Sequence, residues 1–196
     1  MVLGGTSVSV LDAAGTLRLA PLFFVSAGQI NFLVPTGTGS GQATVVVQTA
    51  SGATATGTMQ IATVAPGVFS ANGNGSGVAA ATAIRVAADS TQTPVTVFQC
   101  GKAAASCTSV PIDVTNGAVF VTLYGTGIRN RSSLANVSCT MGGVAVPVLF
   151  AGAQGGFVGL DQVNIQIPAS LKGRGEVSVV VTVDGQAANA VTLNVQ

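Results

Sequence analysis

The chain has no histidine, no tryptophan and one tyrosine, and only 7% of its residues are charged, seven basic and six acidic. Ordinary soluble proteins carry about 25% charged residues, so this surface must be built from Thr, Ser, Asn, Gln, Gly and Ala. Without histidine there is no imidazole base for a Ser- or Cys-based triad. The six acids, Asp12, Asp89, Asp113, Asp161, Glu176 and Asp184, lie far apart in sequence and define no carboxylate dyad. Lys102, near Cys107, reads as a solvated loop charge. Catalysis is not expected, and no cofactor is implied. The basic residues Arg18, Arg85, Lys102, Arg129, Arg131, Lys172 and Arg174 are scattered, whereas phosphate binding needs clustered positive charge. The "RNR" at Arg129 to Arg131 therefore reads as a loop feature, and nucleic acid is not an expected partner.

Long hydrophobic runs are missing too. Nothing approaches the ~18 apolar residues of a membrane helix, so no membrane insertion is expected. The opening "MVLGG" lacks the basic and apolar regions of a secretory leader. The expectation is that a leader has been removed or that the chain is a piece of something longer. Cysteine is scarce but placed: Cys100 and Cys107 in "FQCGKAAASC" enclose six residues, a loop that a disulfide can staple in an oxidising compartment. Two thiols without histidine or a second Cys pair do not complete a zinc site. Cys139 alternates with Val137 and Met141 in "VSCTM", as a small buried strand residue does.

What is abundant is glycine, 26 residues of it, and short Val-rich runs. "TSVSVL" and "QINFLVP" alternate apolar with polar; "ATVVVQ", "FVTLYG", "VPVLFA" and "VSVVVTV" are strand-length and end at Gly, Asp-Gly, Asn-Gly or Pro. "VAAATAIRVAA", residues 78 to 88, has helix-forming alanines, but Thr82, Ile84 and Val86 alternate and no capping residue precedes them, so a strand is predicted. The chain reads as all-β, with turn signals at the roughly 8–12-residue spacing of sandwiches.

One phrase occurs twice. "GQINFLVP" returns as "DQVNIQIP", matching Gln29 to Gln162, Asn31 to Asn164 and Pro35 to Pro168, 133 residues apart. The match extends to "ATVVVQ" and "VSVVVTV" after it and to the Pro21 and Pro147 segments before it, which predicts two copies of one β-sandwich unit. The expected division is residues 1–65 and residues 66–196, the latter with an N-terminal hairpin extension over 66–117. Only the second copy is introduced by a strand and Gly-rich corner, "VFVTLYGTGIRNRSS", containing Gly125, Gly127 and Arg129. The first unit thus lacks its opening strand, and an absent strand leaves unpaired backbone groups beside an open core. Three sources are considered, in this order: a spare strand from residues 66 to 117, an upstream segment, or a strand lent by another copy.

The run "LYGTGI", "GG", "DQVNIQIP" and "GEVSVVVTVDGQAANAVTLNV" resembles the IPT/TIG immunoglobulin-like pattern. From about Gly5 onward the chain resembles an uncharacterised family of C-terminal domains of large secreted acidobacterial proteins, through "APLFFVSAGQINFLVP", "VAPGVFSANGNGSGVAAA", "LYGTGIRNRSS" and "VLFAGAQGGFVGLDQVN". The resemblance implies an extracellular, non-catalytic β-sandwich module at the end of a longer protein. It also implies an opening strand upstream of residue 1, which favours that source over a lent strand.

Two ligand chemistries compete with structural roles. Asp161 with Gln162 and Asn164, or Asp184 with Asn189, offer oxygen ligands, but calcium loops concentrate three or more acidic ligands. Asp184-Gly185 reads as a hairpin turn, and Asp161 as a strand cap or a partner of Arg129. Gln29, Asn31, Gln162, Asn164 and Gln166 share the faces opposite Ile30, Phe32, Val34, Val163, Ile165 and Ile167. Such amide rows suit sugars, yet a stacking aromatic is usual there, so the preferred reading is framework bracing. The expected function is a structural or interaction module at a cell surface, acting as spacer, adhesin or self-assembling unit, with strand complementation between chains as one route. Its partners would be further copies or upstream domains of a parent protein; a carbohydrate-binding module is the alternative.

Overall fold

The computed structural model describes residues 2–103 and 106–196, and they form an all-β protein of antiparallel sheets. The chain divides into two compact units, Met1–Thr63 and Val64–Gln196. The first holds β1 (Ser7–Leu11), β2 (Leu17–Leu19), β3 (Leu22–Val25), β4 (Ile30–Phe32), β5 (Gly41–Gln48) and β6 (Thr54–Ile61). They form a four-stranded sheet ordered β2-β1-β5-β6 and a two-stranded sheet of β3 and β4. Alternation along β1 sends Val8 and Val10 to the interior and Ser7 and Ser9 outward. The small core gathers Val10, Ala43 and Ile61, with Phe32, Val45 and Met59 packed against it.

The second unit begins with β7 (Gly67–Val68), β8 (Ala81–Val86), β9 (Gln92–Val95), β10 (Phe98–Cys100) and β11 (Cys107–Ser109). It continues with β12 (Ala118–Thr126), β13 (Val137–Met141), β14 (Val144–Val146), β15 (Val148–Ala153), β16 (Asp161–Ile167), β17 (Gly175–Val183), β18 (Gln186–Ala187) and β19 (Val191–Val195). One sheet runs β15-β16-β12-β8-β9 with β7 also on β12; the other runs β14-β13-β17 with β18 and β19 on β17. Their inner faces supply one core: Val121, Leu123, Val163 and Ile165 from the first sheet, and Cys139, Met141, Val179, Val181 and Leu193 from the second.

The internal match is visible strand by strand. β2-β1-β5-β6 reproduces β14-β13-β17-β19, and the β3–β4 pair reproduces β15–β16. Leu33 N–H bonds the Pro21 carbonyl at 2.9 Å, as Gln166 N–H bonds that of Pro147 at 3.1 Å. Pro168 directly follows β16 and Pro35 lies three residues past the end of β4, and each accepts a turn bond, from Leu171 N–H and Thr38 N–H respectively. One expectation is corrected. The stretch 66–117, considered first as the source of the strand missing from the first unit, is spent inside the second unit. β8 pairs with β12 over Ala81 to Val86, β7 pairs with β12 at Gly125 and Thr126, and Val78 and Ile112 bridge to β19. β12 outcompetes any other partner because its nine residues alternate into the same core as Ala81 and Ala83.

Candidate functional site

Two features of the second unit are built by residues distant in sequence. The first is the corner after β12. A β-carbon on Gly125 or Gly127 would run into the carbonyls of Gly67 and Ala65, and Gly127 has φ +73°, a conformation open to glycine. The segment entering β7 therefore packs backbone to backbone on this corner, with Ala65 N–H donating to the Gly127 carbonyl at 3.0 Å. Asp161, fully buried at the start of β16, closes it: its Oδ2 accepts from Ile128 N–H (2.7 Å) and Arg129 N–H (3.1 Å), and its Oδ1 from Arg129 Nε (2.6 Å). Arg129 also donates to the Leu160 carbonyl at 2.9 Å. Asn189 ties the far side, accepting from Val68 N–H and donating to the carbonyls of Val68 and Gly75.

The second feature is the outward face of β15, β16, β12 and β8. Gln162 Nε2 donates to Asn164 Oδ1 at 3.1 Å, and in the first unit Gln29 donates to Asn31 at 2.7 Å. The repeated phrase thus repeats a hydrogen-bonded amide pair in each unit. Beside each pair the register slips at a β-bulge, between Leu22 and Phe24 and between Val148 and Phe150. A bulge turns successive side chains out on the same side, and Phe23, Phe24, Leu149 and Phe150 are all exposed. In the second unit this face holds a pocket of about 300 Å³ whose outward lining includes Thr82, Ile84, Phe120, Thr122, Phe150 and Asn164. Thr82 and Tyr124 hydroxyls are joined at 3.1 Å at its margin.

Cys100 and Cys107 face each other across β10 and β11 and are joined as a disulfide. Asn72 clamps this hairpin from 35 residues away, accepting from Cys107 N–H at 2.7 Å and donating to its carbonyl at 3.2 Å. Cys139 is a buried free thiol whose pKa is pushed up to about 12 by desolvation. In the first unit Asp12 holds a knot that composition did not single out: it accepts from Ala14, Thr16 and Gly39 N–H and pairs with Arg18. The Gly39 and Thr16 amides, with Arg18 adding to them, hold its carboxyl down near about 2. The local signal was "DAAG", the spacing of an Asx turn; the reach to Gly39 had none.

The carboxylates weighed as calcium ligands are engaged otherwise. Asp161 is filled by N–H donors, and Asp184, in the β17–β18 turn, accepts from the Ser132 hydroxyl (2.6 Å) and amide (2.9 Å), which lower its pKa. Among the described residues no three His, Cys, Asp or Glu side chains cluster to hold a metal, and no helix is long and apolar enough to cross a membrane. No protein-family model and no curated protein matches the chain.

Proposed function

We propose that the chain is a non-catalytic, extracellular structural or interaction module of two immunoglobulin-like, IPT/TIG-like units, of the kind found at the ends of secreted acidobacterial proteins. The observation that carries this reading is the face made twice: a Gln–Asn pair beside a β-bulge that exposes Phe23 and Phe24 in one unit and Leu149 and Phe150 in the other. Exposed apolar groups side by side on a weakly charged surface favour docking of a partner. The disulfide supports an oxidising compartment. With little charge to keep copies apart, self-association is the version most open to test. Sedimentation velocity across a concentration series is expected to show association that Phe24→Ser with Phe150→Ser abolishes. A strict monomer at the highest soluble concentration removes the self-assembly version.

The pocket on the β8–β12–β16 face favours one second reading. Phe120 and Phe150 beside Thr82, Thr122 and Asn164 combine phenyl faces with neutral hydrogen-bonding groups, the chemistry that receives a sugar ring. Glycan-array binding lost on Asn164→Ala would place carbohydrate recognition ahead of self-association; a blank array removes it.

A further inference from the structure

The second unit carries a loop that the repeated framework does not require. Residues 26–29 suffice to join β3 to β4 in the first unit, whereas the longer stretch 154–160 joins β15 to β16 in the second. Gln154 braces this loop: its Oε1 accepts from Gly156 N–H at 2.8 Å and Phe157 N–H at 3.2 Å, and its own N–H donates to the Leu160 carbonyl at 3.0 Å. The stem is tied down as well, since Thr126 Oγ1 donates to the Gly159 carbonyl and Arg129 Nη2 to that of Leu160. On this braced loop Phe157 is 71% and Val158 69% exposed, more than any other large apolar residue described in the unit.

A receptacle of matching chemistry lies on the outward face of the same unit. Its sheet has the opening strand β12 in place, and Thr82, Thr122 and Asn164 form one row across it, with Ile84 and Phe120 in the next. The pocket over these rows is about 300 Å³. A cavity of about 150 Å³ already takes a benzene ring, so this one has room for a phenyl group and a branched aliphatic side chain together. No charged side chain lines it, and none occurs in residues 154–160, so joining the two surfaces strands no charge. Phe157 and Val158 leave the pocket of their own unit unfilled: Phe150 lies four residues back along the chain from Gln154, about 13 Å in extended conformation.

We infer that Phe157 and Val158 of one copy seat in the β8–β12–β16 pocket of another. Knob and socket are different surfaces, so the contact is heterologous: each copy that gives its knob keeps a free socket, and copies add head to tail. A loop already braced loses little freedom on docking. The inference rests on the self-association reading and narrows it to one pair of surfaces.

Two variants test it, both changed at exposed side chains: a knob variant, Phe157→Ser with Val158→Ser, and a socket variant, Ile84→Lys. Sedimentation velocity of the wild type is expected to show species that grow past the dimer with concentration. Each variant alone, at an unchanged unfolding midpoint, is expected to associate at least about tenfold more weakly. Mixed in equal amounts, the two are expected to form a dimer of one of each and to stop there, because the mixture pairs the intact knob of one with the intact socket of the other. A knob variant that associates as the wild type does overturns the inference and leaves the self-association reading standing. A mixture that stays monomeric overturns it as well. If only the socket variant loses association, the pocket receives some other surface and the knob has no part in it. A wild type that is monomeric at its highest soluble concentration removes both the inference and the self-association reading.

Discussion

Gly127 lies against the carbonyl of Ala65 so closely that no side chain fits between them, and its amide plane carries the bond that holds Ala65 in place. Gly127→Ala therefore combines a left-handed backbone with a backbone clash. A loss of at least about 2 kcal/mol is expected from urea unfolding. Gly143 isolates the first term, since it has φ +79° and nothing within 4 Å of a β-carbon; Gly143→Ala should cost only about 1 kcal/mol. Equal losses at the two sites would mean that the approach of Ala65 carries no weight.

A buried carboxylate filled by three N–H donors tolerates little change. Asp161→Asn replaces an acceptor oxygen by an NH2 group facing donors and leaves Arg129 without its counter-charge. The loss expected from chemical denaturation is about 3 kcal/mol. Arg129→Lys keeps the charge but not the fork that reaches both Asp161 and the Leu160 carbonyl, and should lose about 1 kcal/mol. A change at Asp161 that leaves the midpoint unmoved would show the corner to be held by Gly125 and Asn189 alone.

The features legible in the sequence are those set by near neighbours. Period-two alternation and Gly or Pro stops mark the longer strands, and the repeated phrase marks the common unit because its Gln–Asn bond spans two residues in each copy. Pairing across long intervals leaves no local trace. "ATAIRV" fits any sheet edge that buries two alanines, and its partner β12 starts 32 residues past Val86. The reach of Asp12 to Gly39, 27 residues on, and of Asn72 to Cys107, 35 residues on, were hidden for the same reason. The β-bulges were hidden because they depend on two strands, so "PLFF" and "PVLF" gave no sign that consecutive apolar residues would face outward.

Cys139 offers a test of packing in the second unit. Burial favours its neutral form, so its contribution to stability is present below the ordinary thiol range and is lost as pH climbs toward about 12. Native protein at pH about 9, near the unperturbed thiol value, should resist iodoacetamide, and denaturant should expose one fast-reacting thiol beyond the disulfide. Rapid alkylation of the native chain would contradict a closed core between the two sheets of the second unit.

Asp12 makes the acid stability of the first unit predictable in direction. Its carboxyl is held near about 2 by the Gly39 and Thr16 amides and by Arg18, below the unfolded value of about 3.9. A lowered folded pKa means that the unfolded chain binds the proton more readily, so this contribution is complete above about pH 4 and disappears as pH falls through about 2. Asp12→Asn mimics the protonated side chain at every pH. The stability difference between wild type and Asp12→Asn should therefore be constant from about pH 7 to 5, shrink between about 4 and 2, and level off below that. Asp89, Asp113 and Asp184 are also lowered by their hydrogen bonds, but they are common to both proteins and cancel in the difference. Amide exchange at β1 and β5 is the suitable readout, since both strands belong to the unit that Asp12 ties together and Tyr124 reports only on the other. A difference that stays the same from pH 7 to 2 would show that the knot acts through its shape rather than through its charge.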